Sequence, residues 1–222
     1  MDFVVTADGS STLYNAEVGE HYHSKHGALQ ESQHVFVQSG LAYYAEKEGT
    51  DTVAVLEVGF GTGLNFLQSA DYVRQQGWHL RYCGIEAYPL AADVVFATGY
   101  DKYVDTEVWS GFIDTYRGAW QGAVGFLDRI EWQVAHRKVL DFKCDQLFDV
   151  IYFDAFAAIH QPEMWSDETL AHVCQFLKIG GVFVTYAITG NLKRSMKALG
   201  FKIEKAPGAP GKREMLRATR VV

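Results

Sequence analysis

The sequence has no run approaching the ~20 consecutive apolar residues that a membrane-crossing helix needs. Its opening, Met1-Asp2-Phe3-Val4-Val5-Thr6, has no basic segment ahead of an apolar one. These absences predict a chain without a membrane span that works in the cytoplasm. Cysteine is scarce. Cys83, Cys144 and Cys174 are odd in number, far apart and set among apolar residues, so they read as small buried side chains and not as bridges or zinc ligands. There is also no biased or repeated segment, which removes solenoids and general disorder. What remains is ordinary globular material, 48% apolar and 21% charged over 222 residues. That length suits one domain with a sizeable core, spanning residues 1–222.

The net charge of −7 is unevenly spread. From Lys178 onward ten Lys or Arg face only Glu204 and Glu214, a local +8 that leaves −15 on residues 1–177. Such a tail is either a solvated basic face or a phosphate-binding surface beside an acidic body, and charge alone does not choose.

Periodicity predicts a helix over Ala28 to Glu46, with Leu29, Val35, Phe36, Leu41 and Tyr44 on or near one face. Residues 1–50 are then an N-terminal extension and the helix leading into the sheet. Thr52 to Val58 is a nearly continuous apolar run ending at glycines, the pattern of a central parallel strand buried on both faces. A helix should follow from Leu64 to Gln76, ended by Gly77. Further strands fit Leu80 to Glu86, Ile130 to Ala135, Phe148 to Phe153 and Gly181 to Tyr186, the last after a helix from about Asp167 to Leu177. Strands alternating with helices indicate crossover units and a parallel sheet. Phe201 to Lys205 and Arg213 to Val221 flank a Pro/Gly turn and read as an antiparallel pair at the sheet edge. Residues 99–126, rich in Tyr, Trp and Gly, read as a helical insertion over one sheet face.

The turn Glu57-Val58-Gly59-Phe60-Gly61-Thr62-Gly63 follows the first strand of this sheet. Its glycines permit tight turning and close backbone approach, as a strand-to-helix turn beneath a nucleotide requires. A dinucleotide fingerprint has two residues between its second and third glycines and this turn has one, which argues against a nicotinamide cofactor. Glu86 closes the next strand, where a carboxylate accepts both ribose hydroxyls of an adenosine. Together they point to S-adenosylmethionine, with Glu57, Gly59, Gly61, Gly63, Asn65 and Glu86 as candidate cofactor residues.

Open parallel sheets hold ligands beyond the carboxyl ends of their strands, and the strand Phe148 to Phe153 ends at Asp154-Ala155-Phe156. Asp154 is the candidate catalytic carboxylate. It could accept an N–H from an amine nucleophile, orient its lone pair and stabilise the charge growing on nitrogen. A helix cap is the plainer role for an Asp at such a place. Phe156, Tyr152 and Trp165 are able to stack on a planar base, or are simply core. His21, His23 and His26 have no acidic or Cys partner, and transfer from a sulfonium needs no Lewis acid, so no metal is expected.

Four segments carry a family resemblance in order: Glu31-Ser32-Gln33-His34-Val35-Phe36, Glu57 to Leu67, Phe153-Asp154-Ala155-Phe156 with Pro162-Glu163-Met164-Trp165, and Gly211-Lys212-Arg213-Glu214-Met215-Leu216. They resemble the MnmC-type tRNA methyltransferases along nearly the whole chain. The resemblance implies a class I, Rossmann-like methyltransferase fold: a mostly parallel seven-stranded sheet with an antiparallel C-terminal strand. It implies N-methylation of a 5-aminomethyl group, sometimes on a 2-thiouridine, at the tRNA wobble position. Asp154 and Phe156 would line the reacting pocket and Glu86 would hold the ribose; on the residues alone, the rigid turn Pro162-Glu163-Met164-Trp165 could form one wall of that pocket. Lys193, Arg194, Lys212 and Arg213 would contact tRNA phosphates.

The sequence departs from the family in three ways. Many members continue into a flavin-dependent oxidase domain and this sequence stops before one, so the methyltransferase half alone is expected, with its precursor supplied by upstream tRNA-modifying enzymes. The usual Gly-Asp pair near the adenine is replaced in Val134-Ala135-His136-Arg137, so the motif names no adenine contact. The Pro that often follows Asp-Ala-Phe is replaced by Ala157-Ala158. A methyltransferase acting on a small-molecule or protein amine, and a non-catalytic adenosine- or RNA-binding subunit, stand as alternatives on the residues alone.

Overall fold

A computed structural model of the protein describes residues 2–222. The chain opens with an antiparallel three-stranded sheet, β1 (Asp2–Val5), β2 (Ser11–Asn15) and β3 (Glu20–His21). The sequence reading had only a polar extension here. Side chains of the β1–β2 turn satisfy the next helix's free amides: Thr6 Oγ1, Ser10 Oγ and Asp8 Oδ2 accept from the N–H groups of Ala28, Leu29 and Gln30 at 3.4, 3.2 and 3.0 Å. Those amides have no partner within their own helix.

The expected first helix is present as one rod in three parts: α1 (Ala28–Glu31), a π-helical stretch (Ser32–Ala42) and α2 (Tyr43–Glu48). Its wide middle turns are marked by the Tyr43 N–H reaching back to the Gln38 carbonyl. Gly40 faces the sheet so closely that a Cβ there would stand 2.9 Å from Val184 and 3.0 Å from Tyr152.

The main sheet comprises β4 (Thr52–Val58), β5 (His79–Glu86), β6 (Val124–Phe126), β7 (Ile130–His136), β8 (Phe148–Phe153), β9 (Leu177–Thr185), β10 (Phe201–Pro207) and β11 (Glu214–Arg220). Its order is β10-β11-β9-β8-β4-β5-β7-β6. The five central strands from β9 to β7 are parallel, and β11 runs antiparallel to both β9 and β10. All seven expected strands are there. The eighth, β6, lies within the expected insertion and pairs antiparallel with β7 at the far edge. Between the strands lie α3 (Leu64–Gln76), α4 (Ala92–Phe96), α5 (Thr106–Ala119), α6 (Asp167–Cys174) and α7 (Gly190–Ala198). β9 starts at Leu177, four residues earlier than expected, and α6 stops correspondingly early. The strand was expected to begin at Gly181, whereas Gly180-Gly181 form an irregularity inside it, with Gly180 at φ +82° and a register shift against β8, as bulges do.

Alternate residues of the buried strands feed two cores, one on each face. Val53, Val55, Tyr82, Val150 and Tyr152 pack under the rod, α3 and α5, where Trp132 stacks on Phe66 with centroids 4.3 Å apart. Leu56, Val58, Ile151, Phe153 and Phe183 pack under α6 and α7. No helix among the described residues is long and apolar enough to cross a membrane.

Candidate cofactor and reaction site

The register of the three middle strands assembles the site. Val58 pairs with Ile85 on one side and with Phe153 on the other. Gly59, Glu86 and Asp154 therefore leave the sheet at one level, at the carboxyl edge where the strand connections diverge to opposite sides, the place where open α/β sheets bind ligands. Backbone hydrogen bonds continue past the strands: the Gly59 N–H donates to Ile85 O (3.0 Å) and the Asp154 N–H to Val58 O (2.9 Å).

Gly59, Gly61 and Gly63 take φ values of +88°, +54° and +79°, so side chains are strained at all three. A Cβ on Gly59 would stand 2.5 Å from the Asp154 carbonyl oxygen. Glu86 spans the turn, its Oε2 accepting from the Gly61 N–H and its Oε1 from the Tyr88 N–H, both at 2.9 Å.

Behind the turn lies a buried polar chain. Asn65, on the first turn of α3, donates from Nδ2 to Glu57 Oε1 and to Asp154 Oδ2, both at 2.8 Å, and its Oδ1 accepts from Ser32 Oγ at 2.6 Å. Glu57 is fully enclosed, and its second oxygen accepts from the Tyr82 hydroxyl at 2.7 Å. Glu57, expected among the cofactor residues, is placed to fix Asn65, and through it Asp154. Burial holds its carboxyl well above the ordinary range, with the charge of Asp154 adding to the effect.

Asp154 is partly exposed. Its carboxyl is pushed up to about 8, chiefly by burial and then by Glu31 and Glu20, against the lowering effects of the Asn65 hydrogen bond and the Lys212 charge. Phe156, half-buried, meets Tyr22 edge-on at 5.1 Å. Trp165 turns its indole N–H to the Phe156 carbonyl (2.8 Å) and packs edge-on against Phe153 at 5.0 Å, which braces the loop carrying Phe156.

The predicted phosphate contacts separate. Lys193 and Arg194, on the first turn of α7, and exposed Arg213, in the β10–β11 turn, stand at the carboxyl edge. Lys212 turns inward: its ammonium is 2.7 Å from Glu31 Oε2 and 4.0 Å from the centre of the Tyr186 ring. Of the other tail cations, Lys178 pairs with Asp149, Lys205 with Glu214 and Arg217 with Glu204, while Arg220 binds the Cys174 and Leu177 carbonyls. About half of the basic tail therefore serves the fold.

Several residues at the site went unassigned in the sequence. Glu31 and Ser32 stood in a recognised motif without a role. Tyr186 lies just past the end of β9, where the strand-end rule that found Asp154 applies equally. Tyr22 and Glu20 gave no signal, yet Tyr22 lies over the glycine turn, with a Cβ on Gly61 placed 3.0 Å from its ring. Glu20 accepts from the Ala157 N–H at 2.8 Å. Two surface grooves, one lined by Gln33, Gln68 and Gln75 and one by Thr52, His79 and Arg129, include none of Gly59, Glu86 and Asp154.

This strand order, with a glycine turn at the switch point and a carboxylate at each flanking strand end, is the class I S-adenosylmethionine-dependent methyltransferase fold. Residues 128–221 match the profile of a family described as S-adenosyl-L-methionine-dependent methyltransferase, and S-adenosylmethionine is the cofactor of that family. The chain is similar to the tRNA 5-methylaminomethyl-2-thiouridine biosynthesis bifunctional protein MnmC of Magnetococcus marinus, 33% identical over 218 residues, covering 93% of this chain and 32% of that protein. The MnmC of Methylobacillus flagellatus is 30% identical over 213 residues, 91% of this chain and 33% of its own length. The chain thus spans about a third of the curated relatives it matches. In structure it resembles MnmC2 from Aquifex aeolicus, with a TM-score of 0.80 at 21% identity over 98% of this chain and 69% of that one. The resemblance carried by the four sequence motifs extends along the chain.

Proposed function

We propose that the protein is an S-adenosylmethionine-dependent N-methyltransferase acting on tRNA, converting 5-aminomethyl(-2-thio)uridine at the wobble position to its 5-methylaminomethyl form. The observation that carries this reading is Asp154: a partly exposed carboxylate pinned by Asn65 beside the glycine turn and near Phe156 and Tyr186, with its pKa pushed up to about 8. The similarity to MnmC proteins supplies the substrate class.

The residues fit the cofactor. The left-handed glycines add no side chains of their own to the turn, and Glu86, already spanning it, has acceptor capacity left for ribose hydroxyls. When bound, S-adenosylmethionine supplies an electrophilic methyl group on a sulfonium sulfur. Asn65 and Glu57 keep Asp154 in one orientation. With the amine bound neutral, the ionised Asp154 accepts one of its two N–H groups, turning the lone pair inward and offsetting the positive charge that grows on nitrogen. After transfer it takes up the proton that the methylated nitrogen sheds, as a carboxyl titrating near neutrality can. Phe156 offers a ring face to the uracil. Lys193, Arg194 and Arg213 meet backbone phosphates at the mouth, and Trp165 supports the wall. Residues 1–222 act as one methyltransferase unit in the cytoplasm, downstream of enzymes that make the aminomethyl precursor.

The test is transfer of labelled methyl from S-adenosylmethionine to tRNA from cells lacking this activity. Wild type should form methylaminomethyl uridine, and Asp154→Ala should be slower by about 10²–10⁴-fold, the usual worth of a positioned acid–base group. Cofactor binding without label in tRNA would overturn the substrate; equal rates would overturn the role of Asp154.

A further inference from the structure

Tyr116, near the end of α5, is 2% exposed, and its hydroxyl is the one buried side-chain N or O atom without a hydrogen-bond partner among the described residues. A buried unpaired hydroxyl is unfavourable, and when a native fold keeps one the absent partner needs identifying. The surroundings indicate which. At its start α5 is tied to the far end of α3 by Arg74 with Glu107 and Asp105, so its last turn arrives at the carboxyl edge of the sheet. There Trp120 follows Tyr116 one turn on, with ring centroids 5.9 Å apart. The indole stands edge-on to Phe60 of the glycine turn at 6.0 Å and to His136, the last residue of β7, at 6.3 Å. The phenol is pushed up to about 12, mainly by burial; the Trp120 side chain lowers it and the charge of Glu86 raises it. The hydroxyl is thus close to Trp120 without bonding it in good geometry, and within reach of the field of the carboxylate read as the ribose holder.

We infer that Tyr116 and Trp120 form the nucleoside wall of the cofactor pocket, Tyr116 donating or accepting a hydrogen bond to the bound adenine nucleoside and Trp120 covering its purine. The inference rests on the cofactor reading above and gives the insertion 99–126 a function: it carries the two aromatics to a strand edge where Ala135-His136 offers no carboxylate.

Titration calorimetry with S-adenosylhomocysteine and with adenosine, beside thermal unfolding of the free protein, tests this. Tyr116→Phe should weaken both ligands about tenfold, as loss of one buried hydrogen bond does. It should leave the free protein's melting temperature unchanged or raise it, because the unpaired hydroxyl is gone. Trp120→Phe should remove the tryptophan fluorescence change that adenosine produces in wild type. Unaltered affinity for both ligands in Tyr116→Phe would overturn the wall, as would a lower melting temperature with affinity intact, the mark of a packing role. Failure of wild type itself to bind either ligand would overturn the cofactor reading instead.

Discussion

The two faces of the central strands are equally buried but built from different chemistry near the carboxyl edge. Under α6 and α7 the edge is closed by Leu56, Ile151, Phe153 and Phe183. Under the rod and α3, Glu57 is bonded by Asn65 and Tyr82, and beside them the Ser69 and Tyr152 hydroxyls pair at 3.1 Å. Burying polar groups is tolerable only when each is satisfied, and a satisfied network holds one arrangement. One face therefore supplies cohesion, and the other gives up some of it to hold Asp154 in a single pose.

Cutting the apolar face should have the largest effect. Phe183 is fully buried and stacks on Phe153 with centroids 5.5 Å apart. Phe183→Ala should lose about 3–5 kcal/mol in urea unfolding, the usual range for a deleted core aromatic, while molecules that remain folded keep methyl transfer near the wild-type rate. The polar face should answer in the opposite sense. Glu57→Gln keeps the shape, and its amide meets Tyr82 or Asn65 with one mismatched donor. Stability should change by only about 1 kcal/mol, while the turnover number should fall about 10–100-fold because Asp154 is no longer held at its productive angle. Equal losses of stability in the two variants would erase the distinction.

The apolar logic was legible in the sequence and the polar logic only in part. β4, β8 and α3 have the boundaries that their continuous or periodic apolar runs indicate, because buried parallel strands and a glycine-capped helix are locally encoded. Gly59, Glu86 and Asp154 could be placed in one site because each is a strand end, and parallel register does the rest. β1 to β3 were missed since they are short, half exposed, and fastened by Thr6, Asp8 and Ser10 to a helix some twenty residues on. For Lys212 the resemblance implied a phosphate contact, and neither motif nor charge shows which way a cation turns; its partner Glu31 is 181 residues distant. Tyr186 and Ser32 become site residues only when β9 and the rod are folded against Asn65 and Asp154.

The faces should also differ in their response to pH, and Asp154→Asn isolates the cause. The folded carboxyl is raised from 3.8 to about 8, so between those values the folded state binds more protons than the unfolded one. The contribution of this carboxyl to wild-type stability should then be fully present below about pH 4, fall as pH rises toward 8, and level off beyond. Asparagine does not titrate and its carbonyl still accepts from Asn65, so the variant should match wild type at pH 4 and exceed it by about 1–3 kcal/mol at pH 9. That is less than the full shift implies, because the side chain is partly exposed to solvent. A weaker slope of the same sign should persist in the variant from Glu57, whose carboxyl is also raised by burial. In Phe183→Ala the whole curve should drop with its slope unchanged, since no titrating group has been touched. Urea denaturation of the three proteins between pH 4 and 9 separates these shapes, and parallel curves for wild type and Asp154→Asn would mean that partial burial beside Asn65 and Glu31 does not raise the carboxyl.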